Sequence, residues 1–261
     1  AAMAVGCGLL ALTGIFSAND LLPADRWFGF CTLGIALAAL AFGATIATEP
    51  GEPTDAWVKR LRITWLAASA TGVLFAIGWV GFDSRDGLWR WFGLSGASFS
   101  AMVAYCFAMI HGCREELPGW ANRWTVPSML SLACLTGVIW LNAISHVFYE
   151  PTPQVALVVV VASFLAFYVK RKYWRLLDMI TNNPPAAELG KHRRTAFLCL
   201  FAFPLLLTLF GMGREPVWAL SCTVAAALSV LVGLITERWL FLTEGPNVQL
   251  PTVPDEPTKS D

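Results

Sequence analysis

Residues Trp91 to Cys113 read WFGLSGASFSAMVAYCFAMIHGC, an apolar run long enough to cross the hydrocarbon core of a membrane as one helix. Small residues recur in it every three or four positions, a spacing that places them on one face of an α-helix. The series is Gly93, Ala97, Ser100, Ala104 and Ala108, and His111 closes it. Small side chains let a neighbouring helix approach closely. The run therefore predicts a transmembrane helix whose small face, ending in a titratable ring, points into a bundle.

The whole chain shares this apolar character. Of its 261 residues, 56% are hydrophobic and 14% are charged, whereas soluble proteins average about 25% charged residues. Seven further apolar runs are separated by polar loops, and most approach the roughly 20 residues that a transmembrane helix needs. They are Ala1 to Ala18, Trp27 to Ala47, Ile63 to Gly81, Val126 to Tyr149, Val155 to Val169, Ala196 to Met212 and Val217 to Phe241. We therefore expect an all-α polytopic membrane protein: a bundle of eight transmembrane helices in residues 1–244, followed by a Pro-rich tail in residues 245–261.

Two of these runs are short. The first begins without a methionine, so we expect the first turns of its helix to be missing ahead of Ala1. The sixth passes directly into Lys170-Arg-Lys-Tyr-Trp-Arg175, whose long basic side chains and aromatic rings suit a membrane interface. We expect that helix to continue through the basic segment, and we count both runs as spanning.

Lys and Arg fall mainly on one side of an eight-helix arrangement. That side holds Lys59, Arg60, Arg62, Arg114, Arg123, Lys170, Arg171, Lys172, Arg175, Lys191, Arg193, Arg194 and Lys259, and the other holds Arg26, Arg85, Arg90 and Arg214. Cytoplasmic loops are enriched in Lys and Arg. We therefore expect a bacterial inner-membrane protein with both termini, including the tail, in the cytoplasm. The net charge is zero, which gives no reason to expect a nucleic-acid partner.

Local motifs for catalysis or cofactor binding are missing from the sequence. The seven cysteines form no C-x-x-C pair that could hold an iron–sulfur cluster or a structural zinc. No Gly-rich phosphate loop, nucleophile elbow or H-E-x-x-H motif is present. His146 lies about 20 residues, or roughly 30 Å, along its helix from Val126, at the opposite membrane face from His111. Both axial ligands of a haem lie at similar depth, so these two histidines do not predict a haem. Together with the missing motifs, this leads us to expect no haem, iron–sulfur cluster or metal in this chain.

The last apolar run repeats the pattern of small residues that ends in a titratable group. Cys222, Ala226, Ser229 and Gly233 precede Glu237 at helical spacing. We therefore expect Glu237, like His111, to point inward at the cytoplasmic end of the bundle. Titratable groups inside a membrane tend to be functional because charge in hydrocarbon is costly. The alternative for each residue is an interfacial side chain that bonds to a loop carbonyl.

Several segments carry a resemblance to a known family. They are Ala108-Met-Ile with the following Pro118-Gly-Trp120 and Val126-Pro127, then Tyr173-Trp-Arg-Leu-Leu-Asp178, and Glu237-Arg-Trp-Leu-Phe-Leu-Thr-Glu244, which is the most specific. With them the chain resembles the membrane anchor subunits of dimethyl sulfoxide reductase (DmsC-type), closest to the branch that serves cytoplasmic sulfite dehydrogenases. The resemblance implies a non-catalytic subunit of an oxidoreductase complex. Its partners would be a molybdopterin catalytic subunit and a ferredoxin-like iron–sulfur subunit, and it would exchange electrons with ubiquinone or menaquinone.

The family's quinol-binding positions differ in this chain. Glu49 stands where the family has a histidine, and Ser69 stands where it has a glutamate. We expect Glu49 to exchange protons and His111 to supply the missing imidazole, in a pocket among the cytoplasmic ends of the second, third, fourth and eighth helices. The other expected pocket residues are Trp57, Arg62, Trp65, Glu237 and Arg238. For Trp57 and Trp65 the alternative is ordinary anchoring at the membrane interface.

Three functions remain open on the sequence alone. The chain is a quinone-reactive anchor, a structural tether whose quinone site has degenerated, or, least favoured, a transporter, which would show related halves with broken helices. For either kind of anchor we expect the partner to dock on a positive surface. That surface would consist of Lys170, Arg171, Lys172 and Arg175, with the tail from Gly245 as the next candidate.

Overall fold

The structure, a computed structural model, describes residues 1–46, 55–114, 117, 119–148, 153–181 and 187–244. All regular secondary structure in these residues is helical. The helices are α1 (Ala2–Ala18), α2 (Arg26–Ile46), α3 (Asp55–Ala76), α4 (Leu88–Gly112), α5 (Thr125–Phe148), α6 (Pro153–Thr181), α7 (Ala187–Phe197), α8 (Phe203–Gly211) and α9 (Pro216–Glu244). Two π-helical turns occur, Ile77–Gly81 at the end of α3 and Leu198–Ala202 between α7 and α8. The prediction of an all-α fold is confirmed for this part of the chain.

Among the described residues, seven helical segments are long and apolar enough to cross a membrane. They are α2, α3 with its π turn, α4, α5, α6, the continuous α7–α8 segment, and α9. Helix α1 is apolar but shorter, as the sequence indicated. This set of helices indicates a multi-pass membrane protein.

Helix α1 lies at the centre of the bundle, where it packs against α2, α4 and α5. Most of its side chains are buried. Its backbone passes very close to that of α5, because a Cβ atom on Gly8 would overlap the main chain of Ala133 and one on Gly137 would overlap Gly8. Gly14 meets Gly93 of α4 in the same way. Small residues at these crossings replace side-chain packing by backbone contact, which suits helices surrounded by lipid.

The other helices form two groups. Helix α3 packs against α4 and α2, whereas α9 packs against α5, α7 and α8, and α6 packs against α5. The predicted small face of α4 is confirmed as buried from Gly93 to Ala108. On α9 the inward face predicted from Cys222 to Glu237 is also confirmed, with Glu237 only 2% exposed.

The helices extend beyond the apolar runs where polar residues continue the helical turn. Helix α3 begins at Asp55 and not near Ile63, and α7 begins at Ala187 and not near Ala196. Helix α6 continues to Thr181, so the prediction that it runs through the Lys170 segment is confirmed. A hydropathy pattern locates the stretch that suits hydrocarbon, and it leaves out polar turns that remain helical at the interface.

Loop contacts define two ends of the bundle. At one end, which we call the basic end, Trp120 Nε1 donates to the Phe241 carbonyl at 2.8 Å and Tyr173 Oη donates to the Gly119 carbonyl at 3.3 Å. The ends of α4, α5, α6 and α9 therefore meet there. At the opposite end, Arg85 donates to the Leu22 carbonyl at 2.8 Å, which ties the α3–α4 loop to the α1–α2 loop.

Candidate functional site: a buried charged cluster at the basic end

A buried ion pair lies near the basic end. Lys170 Nζ of α6 is 2.5 Å from Glu237 Oε1 of α9, and each side chain is 2% exposed. The Lys170 ammonium also lies 4.2 Å from the ring centroid of Tyr173. An ammonium and a carboxylate can remain charged in such a place only because each compensates the other.

Helix periodicity explains why Lys170 points inward. Residues at alternating spacings of four and three form the buried face of α6. They are Val159, Ser163, Ala166, Lys170, Tyr173 and Leu177. Lys170 thus occupies a core position, and it does not lie on the positive docking surface to which the sequence analysis assigned it. The alternation of apolar and small residues before it was the signal in the sequence that could have placed it inside.

Arg238 extends the charge cluster toward α4. Its Nε is 3.8 Å from Glu237 Oε2, which is an ion-pair contact but too long for a hydrogen bond. Its guanidinium carbon lies 5.6 Å from the ring centroid of Phe107 and 5.8 Å from that of Phe241. Both distances are in the range of cation–π contacts, which help to hold a guanidinium in an apolar setting.

His111 lies in an aromatic cage, by which we mean Phe107, Trp120 and Phe241. The ring centroids are 5.4, 5.1 and 5.3 Å from that of His111, and all three rings meet it edge to face. Arg238 shares two members of the cage with His111, namely Phe107 and Phe241. His111 of α4 and Arg238 of α9, both predicted as pocket residues, therefore belong to one site.

The loop between α4 and α5 closes the cage. Trp120 stacks on Phe241 with ring centroids 5.4 Å apart and an interplanar angle of 6°. Its indole N–H donates to the Phe241 carbonyl, and its own carbonyl accepts a 2.6 Å hydrogen bond from Thr125 Oγ1. The charged loop that follows His111 is thus held to α9 by one buried tryptophan.

Several polar atoms of this site lack hydrogen bonds. Within the described part of the chain, His111 Nδ1, Glu237 Oε2 and Arg238 Nε are buried without a hydrogen-bond partner. Such atoms are uncommon in folded proteins because an unpaired buried polar group is costly. Their grouping marks a place where a ligand or ordered water would complete the bonding.

A small cleft opens beside the cluster, lined by Ala1, Met3, Ala4, Ala104, Phe107, Met129, Ala133 and Arg238. Its volume of about 20 Å³ is enough for a water molecule. Phe107 lines this cleft, and its ring also contacts the imidazole of His111. A larger ligand therefore requires the side chains of Phe107 and Arg238 to move.

The pocket residues predicted on α3 lie on a different side of α4. Trp57 packs edge to face against Tyr105, 5.9 Å between centroids, and Trp65 Nε1 donates to the Leu40 carbonyl of α2 at 3.2 Å. Arg62 is exposed. Helical geometry places Tyr105 and His111 on different faces of α4, so the structure does not bring Trp57, Arg62 and Trp65 to the charged cluster.

The remaining predicted residues are Glu49, those of the tail, and the docking residues on α6. Glu49 lies outside the described residues, as does the tail from Gly245. Of the proposed docking residues, Arg171 and Arg175 are exposed and Lys172 is half-buried.

A second ion-pair network, which the sequence analysis missed, joins three helices at the basic end. Arg193 of α7 donates to Asp178 of α6 and to Glu244 of α9, with 2.7 Å for each bond. The Arg193 side chain is 13% exposed and that of Glu244 is 4% exposed. These contacts link residues far apart in the chain, and no local spacing in the sequence predicts them.

Comparison of this chain with models of protein families, with curated proteins and with solved structures gives no match.

Proposed function

We propose that the chain is the membrane anchor of a molybdopterin and iron–sulfur oxidoreductase and exchanges electrons with membrane quinone. In this proposal eight helices cross the bacterial inner membrane, with both termini and the basic end in the cytoplasm. The observation that supports it most is the cluster in which the buried pair Lys170–Glu237 adjoins Arg238 and His111. Titratable groups at such depth are functional-site candidates by default.

The polar atoms of the cluster fit the carbonyl groups of a quinone. Arg238 Nε is a donor, and His111 Nδ1 donates in one tautomer, and both lack a hydrogen-bond partner among the described residues. Quinone supplies two-electron redox chemistry that is linked to protons. His111 would bind one carbonyl and exchange a proton there, while Arg238 would orient the other.

Lys170 and Glu237 have a different part in this proposal. Their charges compensate each other, so the pair can hold a fixed carboxylate near Arg238 without adding net charge to the site. Oε2 of Glu237 has no hydrogen-bond partner among the described residues, but its ion-pair contact keeps the Arg238 guanidinium at the edge of the aromatic cage. The pair thus positions Arg238 and would not touch the quinone.

The size of the cleft favours a second function, that of a purely structural tether. A volume of about 20 Å³ holds water and not a quinone ring. In a tether, water would satisfy the unpaired atoms and the cluster would only fix α9 against α6.

Identification of the partners tests the anchor class. The chain would be purified from its native host in mild detergent and the bound subunits identified by mass spectrometry. The proposal predicts a ferredoxin-like subunit and a molybdopterin subunit in equal amounts with the chain. Purification of the chain alone, from membranes where both subunits are expressed, would overturn both the quinone anchor and the tether.

A charge-reversal variant then tests the docking surface. Arg171→Glu with Arg175→Glu is expected to release the partner at moderate salt, because both residues are exposed at the basic end. Lys191→Glu with Arg194→Glu on α7 reverses the same number of charges elsewhere at that end and serves as the matched control.

A further inference from the structure

Two aromatic rings at the basic end are flanked by basic side chains from different elements. Trp124, at the end of the α4–α5 loop, and Tyr168 of α6 meet edge to face with ring centroids 6.4 Å apart. Arg123 places its guanidinium carbon 5.9 Å from the Trp124 centroid, and Lys172 places its Nζ 5.5 Å from the Tyr168 centroid. Both cations lie over aromatic rings.

The same rings stand at the end of an exposed apolar stripe. Along α6 the outward residues recur at spacings of four, three and four. They are Leu157, Val161, Phe164 and Tyr168, each more than half exposed. Lys172 follows Tyr168 by one turn of the same helix. The stripe faces outward along a segment apolar enough to cross a membrane, so acyl chains would cover it.

Where such a stripe ends in Tyr, Trp, Lys and Arg, the side chains lie at the level of the lipid headgroups. Lys and Arg clusters just inside the cytoplasmic face attract anionic lipids. We propose that Arg123, Trp124, Tyr168 and Lys172 form a binding site for one anionic phospholipid, with its phosphodiester at the two cations and an acyl chain along the α6 stripe. This proposal does not depend on the quinone function.

The arrangement fits a phospholipid better than other ligands with a phosphate group or an acidic surface. A free phosphate ion would use the cations and leave the apolar stripe without a role. An acidic protein partner would meet Arg171 and Arg175, which are exposed on the same helix, and would not need the aromatic rings at headgroup level. A lipid uses the charge, the rings and the stripe together.

Native mass spectrometry of the purified full chain can measure this binding. The protein in detergent would be titrated with phosphatidylglycerol and, in parallel, with phosphatidylcholine and with inorganic phosphate. We expect one phosphatidylglycerol to bind more tightly than the others, and Arg123→Gln with Lys172→Gln to weaken it by about thirtyfold, the effect of two basic side chains near an anionic surface. The control Lys191→Gln with Arg194→Gln removes the same charge from α7 and is expected to change binding less than about twofold.

Several outcomes would overturn the site. Equal weakening in the test and control variants would mean that net charge alone attracts the lipid. Phosphatidylcholine binding as tightly as phosphatidylglycerol, or inorganic phosphate occupying the site by itself, would remove the lipid assignment. So would a test variant that binds phosphatidylglycerol like the wild type but loses its protein partner. Arg123 is exposed and Lys172 is half-buried, and unchanged thermal unfolding of the variants would confirm that the fold is intact.

Discussion

Lys170 and Glu237 join α6 to α9 through a buried ion pair, with Nζ 2.5 Å from Oε1 and both side chains 2% exposed. Moving two charges out of water costs several kcal/mol for each ion, and their mutual attraction offsets this only when the geometry is good. Loss of one partner leaves the other charge buried and uncompensated. The pair therefore makes the relative placement of α6 and α9 specific, and with it the position of Arg238.

The first prediction concerns this pair. Lys170→Met or Glu237→Gln alone is expected to destabilise the fold by about 3–5 kcal/mol, the typical cost of breaking a buried ion pair. The double substitution to Met and Gln is expected to cost much less than the sum, since neither member of the pair is left charged without the other. The free energies of unfolding of the two single variants and the double variant can be measured by titration with SDS in mixed micelles.

An exposed ion pair provides the control for that measurement. Lys191 and Glu188 lie 3.3 Å apart with 74% and 81% of their side chains exposed, and exposed pairs contribute little. Lys191→Met should leave the unfolding midpoint unchanged. Additive costs for Lys170 and Glu237 would show that the two side chains do not interact.

Trp120 is predicted to hold the α4–α5 loop to α9. Trp120→Phe keeps an aromatic ring but loses the N–H that donates to the Phe241 carbonyl, a loss of about 1 kcal/mol. Trp120→Ala also removes the ring that stacks on Phe241 and should lower the free energy of unfolding by about 3–5 kcal/mol. Thermal unfolding gives these values, and trypsin should cleave the loop faster in the Ala variant. Trp218→Phe, at a ring that is 53% exposed, is the matched control; equal effects at both sites would rule out the loop anchor.

The α1–α5 crossing is predicted to tolerate no Cβ atom. Gly8→Ala and Gly137→Ala would each place a methyl group inside the main chain of the other helix, so the helices must separate and the folded yield should fall sharply. Gly34→Ala on α2 has open space around the new methyl group and should be neutral or slightly stabilising, as Ala is the better helix former. Fluorescence-detected size-exclusion chromatography compares the folded yield of these three variants. A normal profile for Gly137→Ala would contradict the close crossing.

The orientation of the bundle can be tested with a native thiol. Cys113 is exposed and lies just past the end of α4, at the basic end. In a variant with the other cysteines replaced, a membrane-impermeant maleimide should label Cys113 in inverted vesicles and not in spheroplasts. A cysteine introduced by Ser84→Cys at the other end should show the reverse. Labelling of Cys113 from outside the cell would show that the basic end faces the periplasm, contrary to the predicted topology.

Helix placement could be predicted from the sequence because it depends on local periodicity. The small face of α4 and the inward position of Glu237 follow from spacings of three and four residues, and the structure confirms both. The ends of α3 and α7 could not be placed, since polar turns such as Asp55 to Arg62 continue a helix without adding to its hydropathy.

Residues that meet across helices were much harder to predict. His111, Trp57 and Trp65 are expected at the same depth from the sequence, but depth does not say which side of α4 each residue faces. Lys170 belongs to a basic run in the sequence, although the buried face of α6 passes through that position. The partners Lys170 and Glu237 are far apart in the chain, and only the packing of α6 and α9 around α5 brings them together.

The central claim is that the cluster around His111 and Arg238 exchanges electrons with quinone. Its most direct test is the rate at which a short-chain quinone reoxidises the reduced iron–sulfur clusters of the purified complex, followed by absorbance. We expect His111→Gln, which keeps a donor but cannot titrate, to slow this reoxidation about a hundredfold, Arg238→Gln to slow it as well, and Lys191→Gln to leave it unchanged, with all complexes intact. Reoxidation at the same rate in all variants, or no quinone-linked reoxidation in the intact wild-type complex, would contradict the claim, and the second result would identify the chain as a tether.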